Sequence, residues 1–225
     1  MPPVVPLPKV IRARVPDRVR HDRRLRGVAL ASGLIPPRQS HSAAEAALLA
    51  RLASQAPRVV EIGVYEGSSA LVLCSALPAS AELHLIDPFV DESGWALPRG
   101  WRPTPFATRL VVRRGTARGG PSVHWHVARS QDMRRTWEGG PVDLVFIDGD
   151  HRPDACQEDW DVWSQHVPAG GRVAFRDARA GKPDGHGSPG PTAVVDGLFR
   201  GPDALRQWRL DDELETLVVV QRVAP

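Results

Sequence analysis

Short apolar runs recur along the chain, and between them apolar positions return every three or four residues, so strand and helix periods alternate. The first clear unit opens with Ser42-Ala-Ala-Glu45, a capping box whose hydroxyl and carboxylate each satisfy an orphan helix amide. It continues as an Ala/Leu-rich helix that Pro57 ends. Arg58–Gly63 follows, with Val59, Val60 and Ile62 apolar, as a strand covered on both faces. Gly67-Ser68-Ser69 starts a helix with Ala70, Cys74 and Leu77 on one stripe, and Leu83–Asp87 forms the second strand. Beyond a Pro-, Gly- and Trp-rich excursion at 88–105, the pattern predicts a helix containing Phe106 to Val112 and a strand over Val123–Val127. A short helix over Gln131–Trp137 and a strand over Asp143–Asp148 come next. From Pro153 onward, Cys156, Trp160, Trp163 and Val167 recur on one helix face. A turn at Pro168–Gly171 leads to a fifth strand, Arg172–Arg176. Residues 178–191 carry too much glycine and proline for regular structure. A helix near Ala193–Phe199 and a strand pair, Gln207–Leu210 with Thr216–Arg222, come last.

This alternation predicts an α/β fold: a doubly wound, mostly parallel seven-stranded sheet with helices on both faces and an antiparallel C-terminal edge hairpin. Ligands in such sheets bind beyond the carboxyl ends of the strands, where strand order reverses. Five polar segments fall just past strand ends: Glu61–Ser69, Asp87–Phe89, Arg129–Gln131, Asp148–His151 and Asp177. The rim they form is where chemistry is expected.

Composition narrows the class without choosing a function. A chain of 225 residues, 42% hydrophobic and 24% charged, suits one full-size domain and excludes wholesale disorder. No apolar run is long enough for a membrane helix, and the opening MPPVVPLPKVIRARV lacks the apolar core of a secretory signal. Two cysteines, Cys74 and Cys156, make neither a metal cluster nor a disulfide framework, so a cytoplasmic setting is expected. The net charge of +3 is polarised: residues 1–30 hold eight basic side chains against two acidic ones, and the rest is slightly acidic. Residues 1–30 hold five prolines and no Phe, Trp or Tyr to stack bases, so residues 1–41 read as a solvated, partly ordered leader that can also serve as an active-site lid. Residues 42–225 then form the catalytic or binding domain, with no nucleic-acid or membrane partner expected. The assembly stays open, a homo-oligomer included.

Two candidate sites emerge. In Glu61-Ile-Gly63-Val-Tyr65-Glu-Gly67-Ser68-Ser69, Gly63 lets backbone approach a ligand, and Gly67 opens a helix whose amides attract negative charge. Asp87, closing the next strand, is placed to accept hydrogen bonds from both hydroxyls of a ribose. Asp148-Gly-Asp150-His151 sets two carboxylates and an imidazole after a buried strand, and Asp177 follows the fifth strand. A calcium-loop reading fails because Pro153 stands where the sharp-turn glycine belongs. His151, whose ordinary pKa lies near neutrality, is the natural general base. His41, just ahead of the capping helix, is a further candidate, and His124 and His126 are expected to face opposite ways as packing and surface residues. Trp95 and Trp101 are candidates for an aromatic wall, and 178–191 for a lid beside Asp177.

V-V-E-I-G-V-Y-E-G-S-S followed by L-H-L-I-D-P resembles the first two motifs of class I S-adenosylmethionine-dependent methyltransferases. V-D-L-V-F-I-D-G-D-H and P-A-G-G-R-V-A-F-R-D resemble the fourth and fifth strands of one branch, the small-molecule O-methyltransferases that include macrocin O-methyltransferase. The resemblance spans about residues 42–222 and implies the Rossmann-like methyltransferase fold. It implies that Glu61 and Gly63 face the methionine part of S-adenosylmethionine, with Tyr65, Gly67 and Ser68 lining the same turn. Asp87 would hold the ribose and Ser130 would lie near the adenine; Asp148 borders both cofactor and acceptor. The acceptor implied is a hydroxyl on a sugar or aromatic part of a natural product, with His151 as base. Asp148 and Asp177 would help to hold a divalent cation such as magnesium. The branch often has a second acid before the one at Asp177; Arg176 stands there, which weighs against the cation. Two other classes stay open: a nicotinamide-dependent oxidoreductase on the same fold, and a non-catalytic binding module using the basic leader.

Overall fold

The computed structural model describes residues 22–89, 103–117, 119–179 and 188–224. Trp95, Trp101, the start of the leader and the middle of the 178–191 loop therefore lie outside the described residues. In chain order the elements are α1 (Arg23–Ser32), α2 (Ala43–Ala53), β1 (Arg58–Ile62), α3 (Ser68–Ala76), β2 (Glu82–Ile86), α4 (Pro105–Thr116) and β3 (Ser122–His126). Then come β4 (Leu144–Ile147), α5 (Pro153–Trp163), β5 (Arg172–Phe175), α6 (Pro189–Phe199), β6 (Trp208–Leu214) and β7 (Leu217–Arg222). Short 3₁₀ stretches occupy Ser130–Arg135 and Ser164–His166.

The seven strands form one sheet in the order β3-β2-β1-β4-β5-β7-β6, parallel except for β7, which runs antiparallel to both β5 and β6. The chain winds outward from β1 in one direction and from β4 in the other, so the switch point lies between β1 and β4. Side chains alternate across each strand and feed two cores. Val60, Ile62 and Val145 face α5 and α6, where Trp160, Phe175, Phe199 and Trp208 pack edge to face or tilted. Val59, Leu83, Leu85 and Phe146 face the opposite way, under Leu48, Leu49 and Leu52 of α2 and Leu73 of α3. Two-sided cover explains why the central strands read as nearly unbroken apolar runs.

Four local features differ from the sequence reading. Inside the segment read as a leader, Asp22 caps α1 by accepting from the amides of Arg24 and Leu25, and Gly33 closes the helix in the left-handed region. Ala29, Leu30 and Ile35 then pack on Ala107 and Val111 of α4. Arginine-rich composition concealed this narrow apolar stripe. Helix α6 begins at Pro189, inside the stretch read as irregular, because proline suits the first helical position and lacks only an amide that would be unpaired there. Strand β6 runs on through Asp211, Asp212 and Glu213, since an edge strand can turn charges to solvent. Finally, His124 and His126 share a face, as residues two apart in a strand must. Both stack on His84, which burial and these two neighbours push down to about 4.

Candidate active site

At the switch point a cleft of about 650 Å³ opens beyond the carboxyl ends of β1, β2 and β4. Its size lies within the range for pockets that enclose a small molecule. Of the residues singled out from sequence, Gly63, Tyr65, Ser68, Asp87, Ser130, Asp148 and His151 line it; Glu61, Gly67 and Asp177 do not.

The β1 side is built from backbone. Gly63 has φ +86°, and a Cβ there would overlap the Asp148 carbonyl oxygen, so the close meeting of the β1 and β4 turns requires glycine. One Asp87 oxygen accepts from the amides of Val64 (2.9 Å) and Tyr65 (2.8 Å), and the other from Phe89 (2.6 Å). The carboxylate therefore fixes the glycine turn from across the sheet, and the oxygen bonded only to Phe89 keeps a lone pair for a ligand. Burial pushes its pKa up, against the pull of these three amides. Tyr65 and Phe89 are both held at positive φ, +52° and +54°, an arrangement that costs about 1–3 kcal/mol each and collects at functional sites. Helix α3 starts at this turn with no side-chain cap, leaving its first amides available to an anion.

Glu61 lies on the same strand face as Val59, beneath α3 rather than in the cleft, because side chains alternate with period two. Ser69 Oγ donates to one of its oxygens, while the other is buried with no hydrogen-bond partner among the described residues. Burial raises its pKa well above the usual carboxylate range; the Ser69 bond opposes this, and Asp148 and Asp87 add to it.

The turn is braced from outside as well. Glu66 takes a two-pronged ion pair from Arg26 of α1 (2.6 and 2.5 Å) and further bonds from the amide and guanidinium of Arg38. Sequence reading assigned Arg26 to a solvated arm; its side chain is in fact buried against Glu66. No local signal pairs residues forty positions apart.

On the far side of β4, Ser130 donates to Asp159 on α5, and both are buried. Burial pushes the Asp159 pKa up to about 7, the Ser130 bond partly opposing. Asp159 lines the cleft and was missed because, within a helix period, it reads as an ordinary acid beside Trp160.

The β4–β5 side is built from charged side chains. His151 Nε2 lies 3.7 Å from Asp148 and 3.8 Å from Asp177, too far for direct hydrogen bonds but close enough for charge attraction. It is buried and has no hydrogen-bond partner among the described residues. Nδ1 is 3.0 Å from Ser188 Oγ. Ser188 occupies the N-cap position of α6 yet makes no capping bond, so its hydroxyl serves the histidine. The Ser-Pro pair at 188–189 is a helix-start signal that could have revealed it. Gly190 lets α6 approach, since a Cβ there would overlap the His151 carbonyl. Burial would lower the pKa of His151; Asp148 and Asp177 outweigh it, against Arg176, and the net direction is upward.

Asp177, at φ +54°, accepts a hydrogen bond from Thr216 Oγ1 at 3.2 Å. Burial raises its pKa, with Arg176 opposing. Arg176 Nη1 lies 3.0 Å from Asp148 and 3.2 Å from Asp177, and Nη2 donates to the Ser40 carbonyl. The segment before α2 is thereby tied to the cleft through Ser40, a lining residue; His41 is not in the cleft wall. Oxygen and nitrogen atoms of Asp148, His151 and Asp177 lie within 4.8 Å of one another, the spacing of a metal site. These residues nevertheless do not fit a divalent cation, because a guanidinium already pairs with both carboxylates and would repel it.

A doubly wound sheet of this strand order, with a glycine turn and a second-strand aspartate at its switch point, is the Rossmann-like methyltransferase architecture. A family model described as a methyltransferase domain matches residues 60–178, and the chain belongs to that family. Among solved structures, the O-methyltransferase TomG from Streptomyces achromogenes, involved in tomaymycin synthesis and crystallised with SAM, is similar at 21% identity and TM-score 0.57, covering 88% of each chain. Cofactor-bound Rv0187 from MTB is similar at 18% identity and TM-score 0.59, again over 88% of each. An O-methyltransferase from Bacillus cereus in complex with SAH matches at 13% identity and TM-score 0.53, over 88% of this chain and 89% of that one. At these identities the likenesses establish the shared fold. No helix among the described residues is long and apolar enough to cross a membrane.

Proposed function

We propose that this methyltransferase uses S-adenosylmethionine to methylate a hydroxyl of a small molecule, a sugar or aromatic part of a natural product. The observation that carries the reading is one cleft with two unlike walls: amides and Asp87 on the β1 side, and on the β4 side the half-buried His151 imidazole, whose buried Nε2 has no hydrogen-bond partner among the described residues. The residues present suit the cofactor. The uncapped start of α3 at Ser68 accepts a carboxylate, Asp87 keeps one acceptor position for a ribose hydroxyl, and Tyr65 and Ser130 also line the cleft. When bound, the cofactor supplies an electrophilic methyl group. The similar structures holding SAM or SAH support the same assignment.

The chain's own residues prepare the acceptor. In the tautomer that donates from Nδ1 to Ser188, His151 presents a lone pair at Nε2, which takes the acceptor's hydroxyl proton as its oxygen becomes the nucleophile. Asp148 and Asp177 stabilise the imidazolium so formed. Residues 1–41 act as support and lid: Arg26 and Arg38 brace the glycine turn, and Ser40 borders the acceptor end.

Calorimetry distinguishes the cofactor classes. S-adenosylhomocysteine should bind one-to-one, and NAD should give no saturable heat; the reverse result would assign the cleft to a nicotinamide enzyme. Removing residues 1–21, which leaves α1 intact, should preserve that binding. A protein acting only through its basic arm would bind neither.

A further inference from the structure

We propose that Arg176 is the resident cation of this site, replacing a divalent metal ion so that the acceptor chemistry proceeds without one. The proposal rests on the methyltransferase reading for its chemistry but on Arg176, Asp148, His151 and Asp177 alone for its geometry. Asp148 and His151, from the turn after β4, and Asp177, from just past the end of β5, bring potential ligand atoms within 4.8 Å. Two carboxylates that close, with side chains 7% and 8% exposed, need a positive partner to stay ionised together. Nη1 of Arg176 provides it, at 3.0 Å from one and 3.2 Å from the other. The guanidinium is only 11% exposed and lines the cleft, so its charge acts at the acceptor end with little solvent screening.

Three features mark this as a built arrangement rather than a surface ion pair. Nη2 is tied to the Ser40 carbonyl, which fixes the plane of the group. Asp177 is held at positive φ and anchored by Thr216, whose hydroxyl also lies 2.6 Å from Glu45 of α2. Nε is buried with no hydrogen-bond partner among the described residues, so one donor of the fork is unspent. An arginine keeps its charge at any working pH and cannot be removed by a chelator. A guanidinium supplies one positive charge and planar donors; it fixes the carboxylates and offsets charge that develops on a nearby oxygen, without binding that oxygen as a metal ligand.

Manganese serves as the probe, read by electron paramagnetic resonance and independent of turnover. The wild-type protein should bind no Mn²⁺ at this site at submillimolar concentrations, and EDTA should leave its methyl transfer unchanged. Arg176→Asp should create one Mn²⁺ site, at least about 100-fold tighter than any wild-type binding, because a repelling charge becomes a ligand. Stoichiometric Mn²⁺ binding by the wild type, or EDTA inhibition reversed by magnesium, would overturn the proposal. So would a folded Arg176→Asp protein that binds no Mn²⁺. Circular dichroism checks folding; if that variant does not fold, Arg176→Gln is measured instead, should gain weaker Mn²⁺ binding, and overturns the proposal if it gains none. Gain of Mn²⁺ in a chain that binds no S-adenosylhomocysteine would sink the proposed function and leave the role of Arg176 standing. The opposite pair of results would do the reverse.

Discussion

On the β1–β2 side of the cleft, the groups that face a ligand are mostly main-chain amides, and the side chains that matter hold those amides still. On the β4–β5 side the working groups are side chains from four segments, held by one another's charge. Asp87 shows the first arrangement: it meets three amides and fixes two residues at positive φ. Arg176 shows the second, joining Asp148, Asp177 and the Ser40 carbonyl, three groups distant in sequence. A scaffold of amides suits a constant ligand, because its shape survives changes in side chains. A charge cluster suits a reacting centre, because single substitutions retune it. The two halves should therefore respond differently to mutation.

The largest separation is expected at His151. His151→Ala should lower methyl transfer by about 10²–10⁴, the usual worth of a general base, with S-adenosylhomocysteine affinity unchanged. The base must be neutral, and Asp148 and Asp177 raise its pKa. The rate of the wild type should thus rise with pH through a value above the ordinary histidine range of about 6.5. An activity that falls across that range, or normal turnover by the variant, would remove His151 from the mechanism.

Arg26→Ala tests the opposite half from outside. Breaking a buried ion pair costs about 3–5 kcal/mol, and Arg38, which still contacts Glu66, should hold the loss to the lower end. Denaturant unfolding should register that loss, and cofactor affinity should fall with it as the turn loosens. A stability change within error would mean that α1 does not support the turn.

Asp87→Ala should weaken S-adenosylhomocysteine binding by about 1.5–3 kcal/mol, the range for hydrogen bonds to a charged group. At saturating cofactor its turnover should stay within a few-fold of wild type, in contrast to His151→Ala. Equal losses in affinity and in turnover would show that the two halves are not separable.

Ser188→Ala should be the mildest. Loss of one hydrogen bond to His151 costs about 0.5–1.5 kcal/mol, and the effect should appear in turnover rather than cofactor affinity. An unchanged rate would mean that the imidazole is oriented by its carboxylates alone.

Much of the fold is legible in the sequence alone. The two hydrophobic periods determined the sheet, its doubly wound sense and the rim where polar residues gather, because burial on both faces leaves a pattern in every strand. Gly63, Asp87, Asp148 and His151 could be singled out because each sits beside a strand end, and strand ends are local signals. The capping box at Ser42 and Glu45 was legible for the same reason and is present as expected.

Tertiary structure alone decided the rest. It turned Glu61 under α3, drew Arg26 from a seemingly solvated arm onto Glu66, and gave Asp159 to Ser130. It placed Arg176 between two carboxylates and Ser188 beside His151. Each of these depends on the meeting of groups 8 to 40 residues apart, or on which face a strand presents once packed. Sequence carries short-range periodicity because the backbone repeats. It carries no direct record of charge pairing across a fold, because a Coulomb interaction depends on distance in space and not on position along the chain.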